Sequence, residues 1–143
     1  MLTNEEVIKH NKHIIDVSGG DFGVLQRGDL DFIVDSSNQA KTIIDKATSL
    51  LYGIANSHSF LNGNKRTAFE LSKGVLESGG YAFTASPESI IGFIGGIAQD
   101  QVSKPQVKEW ITTNSHFTGS TLNLTSIVTE NINKDKELLK KLD

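Results

Sequence analysis

His58-Ser59-Phe60-Leu61-Asn62-Gly63-Asn64-Lys65-Arg66-Thr67 is a polar stretch set between two apolar stripes. Upstream, Ile43, Ile44, Ala47, Leu50, Leu51 and Ile54 recur at the spacing of one buried helix face, over about Ala40 to Asn56. Downstream, Ala68, Leu71, Val75 and Leu76 carry a second helix, which Gly79-Gly80 ends. A helix–loop–helix at the centre of the chain therefore points to an all-α architecture.

The flanking punctuation agrees. Thr3 to Glu6 spells a capping box, and Val7, Ile8, Asn11, Ile14 and Ile15 follow at helical spacing until Gly19-Gly20. Residues 19–28 hold four glycines and read as a loop. A short helix from Asp29 to about Ser36 puts Leu30, Ile33 and Val34 on one face, and the polar run 35–39 follows as a loop. Ser86-Pro87-Glu88 opens a helix striped by Ile90, Ile91, Ile94, Ile97 and Ala98. Ser103-Lys104-Pro105-Gln106 opens another, with Val107, Trp110 and Ile111 expected in the core. Residues 113–125 are rich in Thr, Ser and Asn and read as a linker. A final amphipathic helix is expected over Ser126 to Leu142, capped by Thr125 or Ser126, with Ile127, Val128, Ile132, Leu138 and Leu139 on its apolar face. A strand reading survives at Tyr81 to Thr84 and around 36–42.

Composition narrows the function. The chain has 143 residues, about one domain's worth, with 37% apolar residues. Lys plus Arg is 14 and Asp plus Glu is 17, a net charge of −3. That balance disfavours a general nucleic-acid binder, whose phosphate contacts need a basic surplus. Cysteine is absent, which excludes disulfide scaffolds, thiol nucleophiles and thiolate zinc sites. The N-terminus does not read as a secretory signal, and no apolar run is long enough to span a bilayer. The expectation is a soluble, cytoplasmic protein with no membrane or nucleic-acid partner. His10 and His13 are three residues apart on the first helix, where only Glu6 adds an acidic group, and are expected as solvated surface histidines.

The central loop carries the chemistry. Gly63 and Asn64 sit where a helix begins, and a helix start attracts anions through its amides and its positive dipole end. Lys65 and Arg66 are unfavourable to that dipole, so an anion bound between them gives a reason for both. Asn62 offers an amide oxygen for a metal ion or a phosphate-bound water. His58 stands just upstream, with an imidazole able to take a proton from a hydroxyl nucleophile. Base, anion cradle and charge clamp together form the kit for phosphoryl or nucleotidyl transfer. The plainer alternative is a surface turn with a solvated basic pair.

The stretch His58 to Ala68 resembles the signature of the Fic/Doc proteins, His-x-Phe-x-Asp/Glu-Gly-Asn-Gly-Arg-x-x-Arg in its Fic form. Lys65 after Asn64, and Phe69 at the last Arg position, are similar to the Doc (death-on-curing) branch. The resemblance extends from about Thr3 to Ile111, with residues 1–112 as the domain. It implies about six helices, with the polar run near 36–42 as a small β-hairpin flap that pairs with a target's backbone. It implies ATP and Mg²⁺ as ligands, with His58 as the base and Phe60 as a buried anchor. Gly63, Asn64, Lys65 and Arg66 fall on the phosphate cradle, and Asn62 on the metal position, where an acid is usual. It further implies phosphorylation of a threonine of elongation factor Tu and neutralisation by a small antitoxin. Two alternatives stay open: transfer of AMP, as in Fic enzymes, and a catalytically weak nucleotide-binding module. In the tail, Ser126-Ile127-Val128-Thr129-Glu130-Asn131 fits the inhibitory-helix pattern Ser/Thr-x-x-x-Glu-Gly/Asn, with Ser126 and Glu130 as its key residues. The plainer reading is a helix that caps the bundle or pairs two copies into a homodimer.

Overall fold

The computed structural model describes residues 1–142. Among them are eight helices and one two-stranded sheet: α1 (Asn4–Ser18), α2 (Arg27–Gln39), α3 (Ile43–Ala55), α4 (Asn64–Ser78), β1 (Tyr81–Phe83), α5 (Pro87–Ala98), α6 (Lys104–Thr113), β2 (Ser115–Phe117), α7 (Leu124–Lys134) and α8 (Lys136–Lys141). The all-α expectation holds. None of these helices is long and apolar enough to cross a membrane.

The helix starts follow their capping chemistry. Thr3 Oγ1 accepts from the Glu6 amide while Glu6 Oε1 accepts from the Thr3 amide, completing the capping box. Ser103 and Gln106 form a second capping box at α6, and the Thr42 and Ser86 hydroxyls accept from the amides of Asp45 and Ser89 at α3 and α5, with proline in the first turn of α5 and α6.

α4 is the centre of the molecule. It packs on α3, α7, α1, α5 and β1, and its buried residues run around its circumference: Arg66, Thr67, Ala68, Phe69, Leu71, Val75 and Leu76. A helix buried on all sides is a core helix rather than a surface one. α3 packs against it, with Ala47, Leu50, Leu51 and Ile54 buried. Beyond β1, an aromatic chain ties α4 to α5 and α6. Phe69 meets Phe83 edge-on at 6.3 Å, Phe83 meets Trp110 at 5.4 Å, and Trp110 stacks on Phe93 at 4.3 Å. Trp110 is half-buried rather than fully in the core, and its indole N–H donates to Ser89 Oγ.

Four expectations need correction. First, α2 runs through the polar residues 35–39, so no flap hairpin forms at 36–42. Two of those residues have their side chains taken by neighbouring backbone, and Asp35 and Gln39 are exposed. Ser37 Oγ donates to the Lys46 carbonyl, and Asn38 both donates to and accepts from the main chain of Leu2. Second, the stretch 113–125 is not a plain linker: Ser115–Phe117 pairs antiparallel with Tyr81–Phe83, with Ala82 opposite His116. Third, the tail is two helices broken at Asp135, capped by Asn123 rather than by Thr125 or Ser126. Fourth, His10 is buried under α7, with its imidazole held below the ordinary value by burial. His13 meets Asn133 Oδ1 at 3.0 Å.

The tail docks on its own bundle. Val128, Ile132, Leu139 and Leu142 are all buried. Gly74 makes room for the crossing, because a Cβ at that position would collide with Val128 Cγ2. At the α7–α8 break, Asp135 pairs with Lys73 at 3.1 Å. Beside that pair lies Glu70, fully buried, with its carboxyl against Asp135. Burial pushes its carboxyl well above the usual carboxylate range, and Asp135 adds to the shift.

Candidate active site

The central motif occupies the joint between α3 and α4. Most of its polar groups hold the joint in shape. Asn64 closes it, accepting from the Phe60 amide at 3.0 Å and donating to the Phe60 carbonyl at 2.9 Å. The Phe60 side chain between them is in the core, as the family resemblance implied. Ser59 is also buried, its hydroxyl 2.9 Å from that of Ser57.

Gly63 caps α4 from the left-handed region, at φ 84°. A side chain is disfavoured there on two grounds: the backbone conformation, and a Cβ that would stand 2.9 Å from Asn11 Nδ2. Asn11, from α1, is fully buried and donates to the Asn62 carbonyl and to Thr67 Oγ1, both at 3.0 Å. One amide group thus pins the loop and the first turn of α4 together. Asn11 was not among the expected site residues. Its signal in the sequence is a lone polar residue within the apolar stripe of α1.

The loop 19–26 is the second element missed as part of the site. It leans on the motif through a β-bridge between Val24 and Phe60, with the Leu25 amide donating to the Ser59 carbonyl and the Leu61 amide to the Gly23 carbonyl, each at 2.8 Å. The Asp21 amide donates to Asn62 Oδ1 at 2.8 Å. The backbone segment lying along the motif is therefore this glycine-rich loop and not the run 36–42. Phe22, Leu25 and Leu61 leave exposed apolar surface on its outer side.

His58, Asn62, Gly63, Asn64 and Lys65 line one cavity of about 260 Å³, together with Leu61, Ala98 and Leu142. His58 is exposed to solvent there. The first turn of α4 opens on this space, adding the positive end of the helix to the charge of Lys65. Arg66 is placed differently. Its side chain is buried, and Nη1 donates to Ser18 Oγ at 2.7 Å and to the Gly19 carbonyl at 2.8 Å. It fastens the end of α1 beneath the cavity, and the cavity lining does not include it. Phe69, at the position of the second signature arginine, is buried with the Lys73 ammonium 5.7 Å from its ring centre.

Ser126 and Glu130 do not line this cavity. The Ser126 amide is taken by the Asn123 cap, and Glu130 pairs with Lys134 at 2.7 Å on the outer side of α7. Among the described residues of the tail, Leu142 reaches the site.

A histidine, a lysine and a helix start around one space favour an anion there. No curated protein matches the chain. The model of the Fic/DOC family matches residues 2–76, which contain α1 to α3, the motif joint and most of α4. The chain therefore belongs to the Fic/DOC family.

Proposed function

We propose that the chain transfers the terminal phosphate of ATP to a hydroxyl of a protein, as in the Doc branch of its family. Family membership supports a nucleotide-dependent transferase; the branch, the group transferred and the target are the reading argued for here. The observation that carries it is the convergence of His58, Lys65 and the α4 start on one cavity.

The chemistry then assigns itself to the residues. His58 accepts the proton of the incoming hydroxyl as its oxygen attacks the γ-phosphorus. The bond to the β–γ bridging oxygen breaks, ADP leaves, and the phosphorylated hydroxyl and one proton are the other products. Lys65 and the α4 start offset the charge on the phosphate oxygens. Arg66 acts through position, holding the end of α1 and the loop that follows it.

Asn62 suits a hard cation. Its Oδ1 accepts one N–H, from Asp21, and a carbonyl oxygen has a second lone pair. Asp21 adds an exposed carboxylate on the adjoining loop. Mg²⁺ bound with ATP would be held by these oxygens and would neutralise phosphate charge. The exposed apolar residues Phe22, Leu25 and Leu61 beside the motif give a target protein a surface to meet. By the same family reading the target is elongation factor Tu, and a small antitoxin restrains the chain as the toxin of a pair.

The test is incubation with a candidate target and ATP labelled at either the γ- or the α-phosphate. Label from the γ-position alone, lost in His58→Ala, supports the proposal. Label from the α-position makes the chain an AMP transferase. Retained ATP binding with no transfer makes it a binding module.

A further inference from the structure

Glu70 is a buried carboxyl that the motif chemistry does not use, and it lies where the tail turns. α7 ends and α8 begins on either side of Asp135, the residue whose carboxyl stands against that of Glu70. Two carboxyls in contact and away from water do not both ionise, so one keeps a proton. Lys73 pairs with Asp135 at 3.1 Å and favours the charge there, which leaves the proton on Glu70.

The other charged groups around Glu70 come from the same elements. Glu77, on α4, adds negative charge, and Lys134, beside the break, acts on Glu77 and Asp135. From α8, Glu137 and Lys140 pair with each other in solvent. From α1, His13 meets Asn133, and the buried His10 shares a cavity with Thr125 and Thr129 of α7. Burial holds the His10 imidazole below its ordinary value, so His10 loosens the α7 seat as pH falls, the opposite sense to Glu70.

α8 carries any movement at this break to the motif. Its six residues, about 9 Å of helix, lead from Asp135 to Leu142, which is 2% exposed and lines the cavity of His58, Asn62 and Lys65. We propose that the proton shared by Glu70 and Asp135 is a latch on the tail: with it, α7 and α8 stay seated and Leu142 stands in the motif cavity, and its loss sets two carboxylates against each other, lifts the tail at Asp135 and opens that cavity. The latch holds whatever the motif cavity binds, so it does not depend on the transferase reading.

Hydrogen exchange of the full chain at pH 5 and pH 8, corrected for the pH dependence of free amides, gives the opening constant of α7 and α8. Loss of one proton on opening raises that constant up to tenfold per pH unit above 4.5, the ordinary value of the carboxyl, until the raised folded value is passed. The ratio of parent to Glu70→Gln should therefore rise at least tenfold from pH 5 to pH 8, with the tail opening ahead of α3. The ratio cancels the contributions of His10 and His13. Glu70→Met, which fills the same space without a proton, repeats the comparison if glutamine disturbs the fold. The chain has no cysteine, so Leu142→Cys supplies a single reporter thiol. Its alkylation should show the same rise in ratio with and without Glu70→Gln. Equal pH dependence in the parent and both variants, tail amides that open only together with α3, or alkylation that ignores Glu70 would overturn the proposal.

Discussion

Two joints press on α4, and they are built in opposite ways. At the α3–α4 joint, polar side chains meet backbone groups of fixed geometry: Asn64 on Phe60, Asn11 on Asn62, Arg66 on Gly19. At the α7–α8 joint, the contacts are between ionisable side chains. Glu70, Glu77 and Asp135 gather there, with the ammonium of Lys73 paired to Asp135 and that of Lys134 also acting on Glu77 and Asp135, and the carboxyl of Glu70 is buried among them. The first joint fixes its atoms in place, as positional catalysis requires. The second holds a helix down with charges whose balance depends on solution conditions. One joint is rigid and the other adjustable.

The largest effect should come from His58→Ala. Loss of a base lowers the transfer rate about 100- to 10,000-fold. Thermal unfolding should be almost unchanged, because an exposed loop histidine contributes little packing. An early-melting variant, or one that keeps its activity, would turn the motif joint into a purely structural one.

Asn64→Ala probes the rigidity of that joint. It removes both bonds to Phe60 and should cost about 1–3 kcal/mol, read as a lower urea midpoint, with activity falling alongside. If stability falls while the rate holds, the joint does not position the chemistry.

Glu70→Gln probes the other joint. The folded carboxyl sits above its ordinary value of 4.5, so the neutral form is the one the fold favours. Its stabilising contribution is complete below 4.5 and is lost as pH rises through the raised folded value. The glutamine variant should therefore gain stability relative to the parent as pH rises from 5 to 8, measured by urea unfolding at both ends. Parallel pH profiles would show that Glu70 does not govern this joint.

Leu142→Ala should have the smallest effect on binding, while loss of a buried leucine costs the tail about 2–5 kcal/mol of stability. It removes the tail residue that lines the motif cavity, and ATP affinity should rise about threefold, under 1 kcal/mol. Glu130→Gly should leave affinity unchanged, because Glu130 faces Lys134. The reverse pattern would restore the inhibitory reading of Glu130.

What could be read from the chain follows a physical divide. Capping boxes and apolar stripes are local, so Thr3 with Glu6, Ser103 with Gln106, and the stripe of α3 are legible at once. That His58, Asn62 and Lys65 share one cavity follows from the contiguity of the motif. Roles that depend on a distant partner were not legible. Asn11 reaches across 51 residues to Asn62, and Asp21 across 41 to the same side chain. Residues 35–39 looked like a loop, but Asn38 and Ser37 serve Leu2 and Lys46, which only the fold brings near. Arg66 carried the right charge for a clamp, but the end of α1 claims its Nη1.

The notch at Gly74 bears on how the molecule opens. Val128 fits over a helix only where a side chain is missing, so α7 has one seat and no neighbouring register to slide into. Departure from that seat, as one event, would release α7 and α8 together. In hydrogen exchange, the slowest amides of Leu124–Lys134 and Lys136–Lys141 would then share one opening free energy, lower than that of α3 and α4. The tail would behave as a separate cooperative unit, able to lift while the motif joint beneath it stays closed.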